Sequence, residues 1–120
     1  MLVDTSVWVD HFRHRNPRLV TLLESEQVHT LPFVTCELLF GNLARRREIA
    51  RLLEALPAAP VADHQEALRF LDLHRLQGCG LGWIDVHLLA AARLAGVALW
   101  TLDRRLANAA AQVLPRGVVD

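Results

Sequence analysis

The chain has 120 residues, 13 Lys plus Arg against 13 Asp plus Glu, and 52% hydrophobic residues. That length suits one domain able to bury about two thirds of its unfolded surface, and the composition excludes a disordered chain. A formal charge of zero argues against a general nucleic-acid coat, so any such contact must come from local basic patches.

Met1-Leu2-Val3 is a short apolar run ending at Asp4 and predicts a buried strand. Thr5-Ser6 opens a helix carrying Val7, Trp8 and Phe12, broken at Asn16-Pro17. Pro17 suits the first turn of a second helix, over 17–25. Gln27 to Leu31 predicts a second strand, and the apolar spacing from Pro32 to Ala44 is helical. Another helix is predicted over 45–56, where Ile49, Leu52, Leu53 and Leu56 fall at helical spacing. After a turn at Pro57–Pro60, Val61-Ala62 predicts a brief third strand. Asp63 with Glu66 reads as a capping box for a helix to about Gln77.

Gly78, Gly80 and Gly82 form a loop around Cys79 and Leu81. Trp83 to Ala95 is the strongest helical stretch, with Gly96 as its stop, and Val97 to Thr101 is the clearest core strand. Asp103 caps a final helix to about Ala111, and Val113-Leu114 with Val118-Val119 offers an edge strand. Strands alternate with helices, so the expected fold is α/β, a central parallel sheet of four or five strands with helices on both faces. No linker or repeat divides the chain, and residues 1–120 read as one domain.

Cys36 and Cys79 form no CxxC pair, which removes a disulfide framework and a zinc knuckle and favours a reducing cytosol. Asp4 and Asp10 interrupt the first residues without an apolar signal region after them, and no run reaches a membrane span. A cytoplasmic protein is the expectation.

Four acids border the most apolar stretches. Asp4 follows the first strand, Glu37 sits in Thr35-Cys-Glu-Leu-Leu-Phe40, Asp85 in Trp83-Ile-Asp-Val86, and Asp103 follows Leu99-Trp-Thr-Leu102. In a parallel sheet, functional groups collect at the carboxyl ends of strands. Like charges about 4 Å apart cost about 4 kcal/mol at an effective dielectric near 20, so such a pocket needs raised pKa values or a cation. Oxygen ligands select Mg²⁺ or Mn²⁺, and a carboxylate-bound Mg²⁺ is suited to cutting phosphodiesters. Capping is the competing explanation for Asp4 and Asp103, and helix-dipole stabilisation for Asp85.

The stretches Val3-Asp-Thr-Ser-Val-Trp8, Glu37-Leu-Leu-Phe-Gly41, Trp83-Ile-Asp-Val-His-Leu-Leu-Ala-Ala91 and Thr101-Leu-Asp103 resemble, in order and spacing, the PIN-domain ribonucleases, particularly VapC-type toxins. The resemblance implies a PIN-like fold and a metal-dependent endoribonuclease acting as the toxin of a toxin–antitoxin pair. It implies Asp4, Glu37, Asp85 and Asp103 as the catalytic set, with Asp4, Asp85 and Asp103 as direct metal ligands and Glu37 acting through water. Ser6 and Thr101 match its hydroxyl positions, in a supporting role. It also implies a homodimer and an antitoxin peptide in a groove near the third and fourth helices. One departure stands out: many relatives carry an acid two residues past the last Asp, where this chain has Arg105, which weighs against a second firmly bound metal.

Arg104 and Arg105 adjoin Asp103 and are candidates to hold RNA phosphates; Arg45 and Arg46, in a basic helical start, are further ones. His11 and His14 have zinc-ligand spacing but lie in a polar basic stretch, and His87 is expected to meet a neighbouring helix. Trp8, Phe12, Leu39, Phe40 and Leu43 are expected in core or interface, while Leu38, Leu52, Leu53 and Leu56 suggest an apolar helix surface. Two other readings compete: a phosphatase with Asp4 as nucleophile, which wants an acid where Ser6 stands, and a catalytically weak module that binds an antitoxin or RNA.

Overall fold

A computed structural model describes residues 1–119. The first apolar run is strand β1 (Leu2–Val3), and the core strand is β2 (Leu99–Trp100). Around them lie helices α1 (Thr5–His14), α2 (Pro17–Glu24), α3 (Pro32–Phe40), α4 (Arg46–Glu54), α5 (His64–Leu73), α6 (Trp83–Ala95) and α7 (Arg104–Val113). β1 and β2 pair in parallel, Leu2 against Leu99 and Val3 against Trp100. Both strands are fully apolar and buried, as a strand covered on both faces requires.

Among the described residues the regular sheet has these two strands only, fewer than the four or five expected. The other expected strands contract to single parallel bridges: Leu2 with His29, Thr30 with Ala58, and Leu99 with Val118. Their brevity has local causes. The segment before α3 has just Val28 to Leu31 before Pro32 starts the helix. The third strand falls at Ala58, not at Val61-Ala62, because Thr30 exchanges its amide and carbonyl with Pro57 and Ala59 at 2.9 and 2.8 Å. Val61 is instead exposed.

Two helices end earlier than their apolar spacing predicts. α3 stops at Phe40, where Gly41 turns extended, and Arg46 Nε donates to the open Leu39 carbonyl at 3.0 Å. α5 stops at Leu73 rather than near Gln77. The Leu76 amide folds back to the Leu71 carbonyl at 3.0 Å and buries the leucine side chain.

The main core cluster joins β1, β2, the inner face of α1 and most of α6, and a small second cluster forms where Ala62 and Ala67 meet Ala90. Val86 to Ala92 of α6 are all buried, and its three consecutive alanines leave room for neighbouring elements. α6 packs on α5, α7 and β2, while α1 packs on α3 and α3 on α4. Trp8, Leu38 and Leu53 belong to the core, so two of the leucines expected at a surface are buried instead. Phe12, Leu39, Leu43 and Leu56 are half-buried, and Phe40 is 95% exposed.

Candidate active site

The parallel register brings Asp4 and Thr101 out side by side at the carboxyl ends of β1 and β2. The Asp4 amide continues the ladder, donating to the Trp100 carbonyl at 2.9 Å. Asp4 is 8% exposed. A buried carboxylate needs donors, and three reach it: the Thr5 amide at 2.7 Å on Oδ1, and on Oδ2 the Ser6 hydroxyl at 2.9 Å and the Thr101 hydroxyl at 2.6 Å. The single Thr101 proton is spent on Asp4, so its oxygen is free to accept the Asp103 amide at 3.0 Å. One buried hydroxyl thereby ties the side chain of Asp4 to the backbone of Asp103. Ser6 accepts the Leu102 amide at 2.9 Å and braces the same turn.

Asp103 caps α7, its Oδ1 accepting the amides of Arg105 and Leu106 at 2.9 and 3.4 Å. Asp85 lies in the first turn of α6, and its Oδ2 accepts the Gly82 amide at 2.9 Å. Burial pushes the Asp85 carboxyl above its ordinary pKa; the Gly82 N–H offsets part of this, and the charges of Asp4 and Asp103 raise it again. That coupling brings the three acids into one electrostatic neighbourhood although they lie far apart in sequence. All three sit at helix N-termini, where the peptide dipoles temper their mutual repulsion. Capping and clustering therefore occur together here and are not alternatives.

Glu37 is exposed on α3, and its Oε1 accepts the Thr5 hydroxyl at 2.8 Å, one residue from Asp4. Thr5 is a residue that the sequence reading passed over. Its signal is a hydroxyl at the first position of a helix, directly after a candidate acid. Arg105 lies against the glycine loop: a Cβ at Gly80 would stand 3.1 Å from its Cδ and Nη1. Arg104 is exposed on the first turn of α7. Arg45 and Arg46 lie elsewhere, in the α3–α4 hairpin, where Arg45 lines a cleft with His11, Phe12 and Arg15.

A neighbouring cleft of about 320 Å³ is lined by Thr5, Arg13, Glu37, Leu43 and Ile49, among others. The two clefts share Phe12, Ala44 and Ile49 and so adjoin. His11 Nδ1 accepts the Asn16 amide at 2.9 Å, a role in ending α1. His87 is buried between Phe33 of α3 and Trp83, with ring centres 4.6 and 5.0 Å away, as a helix-contact residue should be.

The side chains that could serve a cation in this neighbourhood offer oxygen alone: the carboxylates of Asp4, Asp85 and Asp103 and the hydroxyls of Ser6 and Thr101. Such a set fits a hard divalent cation, and the raised Asp85 carboxyl marks negative charge that a cation would neutralise. Among the described residues, however, no three His, Cys, Asp or Glu side chains converge closely enough to hold an ion. Each of the three aspartates is turned toward an amide at its own helix start. A cation held among all three would therefore require some side-chain movement.

The sequence pattern of the PIN domain matches residues 1–112. Ribonuclease VapC32 of Mycobacterium tuberculosis, in two strains, is 43% identical over 113 residues, which cover 93% of this chain and 91% of that protein. The crystal structure of PAE2754 from Pyrobaculum aerophilum matches with a TM-score of 0.63 over 98% of this chain and 81% of that one; at 18% identity it speaks for the fold alone. With the domain pattern spanning nearly its whole length and a relative of that identity, this chain belongs to the PIN-domain family, among its VapC-type members.

Proposed function

We propose that residues 1–120 form a single-domain, Mg²⁺- or Mn²⁺-dependent endoribonuclease that acts as the toxin of a toxin–antitoxin pair. The observation that carries this reading is the hydrogen-bonded frame at the strand ends, where Ser6 and Thr101 hold the buried Asp4 carboxylate and Thr101 also takes the Asp103 amide, with Asp85 close enough to feel the charge of both acids. Asp4, Asp85 and Asp103 would hold the cation. A bound cation of this kind polarises the phosphate and lowers the pKa of an attacking water. Thr101 and Ser6 fix the Asp4 carboxylate, so that its position is set before substrate arrives. Glu37, tied to Thr5, orients water at the edge of the site. Arg104 and Arg105 contact substrate phosphates without reading sequence, and Arg45 and Arg46 extend that contact along the hairpin.

The adjoining clefts beside α1 and the α3–α4 hairpin suit an antitoxin segment, with an apolar floor at Phe12 and Ile49 and Arg13, Arg15 and Arg45 at the rim. A homodimer in the cytoplasm is part of the proposal. Among the described residues no helix is long and apolar enough to cross a membrane.

Purified protein is expected to cut RNA in Mg²⁺ or Mn²⁺ and to stop in EDTA. Asp4→Asn and Asp85→Asn are each expected to reduce the rate by at least about a hundredfold, the scale of a lost charge-stabilising group. Undiminished cleavage in EDTA, or by either variant, would overturn the assignment. A binding-only module is the second reading, favoured by Arg105 in place of an acid and by the neutral net charge. It predicts a wild-type protein that is inert in either metal yet binds its partner.

A further inference from the structure

The chain has three tryptophans, and they differ sharply in exposure. Trp8 is fully buried and Trp100 is 5% exposed, whereas Trp83 is 38% exposed. Trp83 opens α6 directly after Gly82, whose amide holds the Asp85 carboxylate. One edge of the Trp83 indole is fixed from within: it meets the buried His87 ring nearly at right angles, 5.0 Å centre to centre. His87 is in turn wedged against Phe33 of α3. His64, the exposed first residue of α5, lies with its ring centre 5.4 Å away. The result is a braced aromatic surface that faces water.

Its surroundings say what it suits. From Gly80 to Trp83 the chain meets, in order, the Arg105 guanidinium, the Asp85 carboxylate and the exposed indole. Four consecutive residues span at most about 11 Å between their outer Cα atoms. A cation, a reaction centre and an aromatic face at that spacing match the features of a single-stranded nucleic acid, in which phosphates alternate with unpaired bases. A base offers a flat face to any aromatic ring regardless of its identity. Resting on the endoribonuclease reading above, we propose that Trp83, flanked by His64, is a stacking platform for an unpaired base of the RNA substrate, next to the carboxylate site.

The unequal burial of the tryptophans gives a direct test, because acrylamide quenching of the intrinsic fluorescence reports mainly on Trp83. In EDTA, which keeps RNA intact, a short oligoadenylate is expected to protect the fluorescence from acrylamide. An abasic oligomer of the same length, with the same phosphates, is expected not to. Trp83→Leu keeps an apolar contact on His87 but removes the π face. It is expected to weaken oligoadenylate binding about tenfold, within the range of base–aromatic stacking, and to leave abasic binding unchanged. Trp83→Phe is expected to restore most of the loss.

Equal protection by both oligomers, no protection, or unchanged affinity in Trp83→Leu would overturn the platform. So would shielding of Trp83 that grows with protein concentration alone, which would mean a second copy covers it. Cleavage in Mg²⁺, assayed in parallel, separates the two readings. A protein that cuts RNA while Trp83 stays unprotected retains the nuclease and loses the platform; one that protects Trp83 without cutting does the reverse.

Discussion

At the scale of single residues, Thr101 does more for the site than its size suggests. Its hydroxyl donates to Asp4, accepts from the Asp103 amide and is buried, so no water replaces either bond. Thr101→Val keeps the shape, takes the Asp103 amide's acceptor away and leaves Asp4 Oδ2 with Ser6 as its one remaining donor. It should cost about 1–3 kcal/mol, the penalty for unsatisfied buried polar groups, read from urea unfolding. Thr101→Ser should recover most of it, and a valine variant as stable as wild type would remove Thr101 from this role. Asp85 presents the opposite case, a group whose charge opposes folding. Its folded pKa lies above the ordinary value, so the native state holds the proton more tightly than the unfolded chain. Stability contributed by this group therefore falls as pH rises from the ordinary carboxylate range through the raised value. Asp85→Asn keeps an oxygen for the Gly82 amide and removes the charge. In EDTA it should melt at or above wild type at neutral pH, with the gap closing below about pH 4, where the unfolded carboxylates protonate. A lower neutral-pH melting temperature for the variant would contradict the repulsion.

Helix starts were far more legible than helix ends, and the reason is physical. A start is written locally, in a side chain that accepts an amide two or three positions on. Asn16 accepts from Leu19 at 3.1 Å, Asp63 and Glu66 close a reciprocal box at 2.8 and 3.1 Å, and Asp103 caps α7. The Asp63 box and the Asp103 cap were visible from residue type and spacing alone, whereas Asn16 was legible only as a break before Pro17. Ends depend on what the chain meets in space. α3 keeps its apolar spacing through Leu43, yet it stops at Phe40 because Arg46 returns to take the Leu39 carbonyl, an event seven residues away that no pattern records. α6 is the exception, since Gly96 supplies a left-handed stop at φ 68°. Gly96→Ala should cost about 1 kcal/mol there. Leu89, fully buried on the same helix, should cost about 2–5 kcal/mol as alanine. Chemical denaturation of both variants tests the ordering. A glycine change more damaging than the leucine change would mean that the end of α6, and not its packing, governs the fold.

For the whole molecule, zero net charge conceals an uneven distribution: three carboxylates gather at one end of the strand pair while arginines line the clefts and the start of α7. The order of elements and the four acids could be read from sequence, because buried strands and acids in apolar company are local signals. The width of the sheet could not, because a single bridge at His29, Ala58 or Val118 depends on its partner across the fold. Nor could the resting orientation of the acids, each turned to an amide of its own helix. This arrangement carries a consequence for stability. A cation bound to the native site alone, at a hundred times its dissociation constant, adds about 2.7 kcal/mol by mass action. For a domain of this size that raises the melting temperature on the order of 10 °C. Mn²⁺ should therefore raise the wild-type melting temperature by several degrees, and Asp4→Asn and Asp103→Asn should abolish most of the rise. Matched ionic strength from NaCl should not reproduce it, since screening acts on exposed charges over a Debye length and supplies no ligand bonds. An equal rise in Asp103→Asn, or in NaCl alone, would show that the three carboxylates do not act as one cation site.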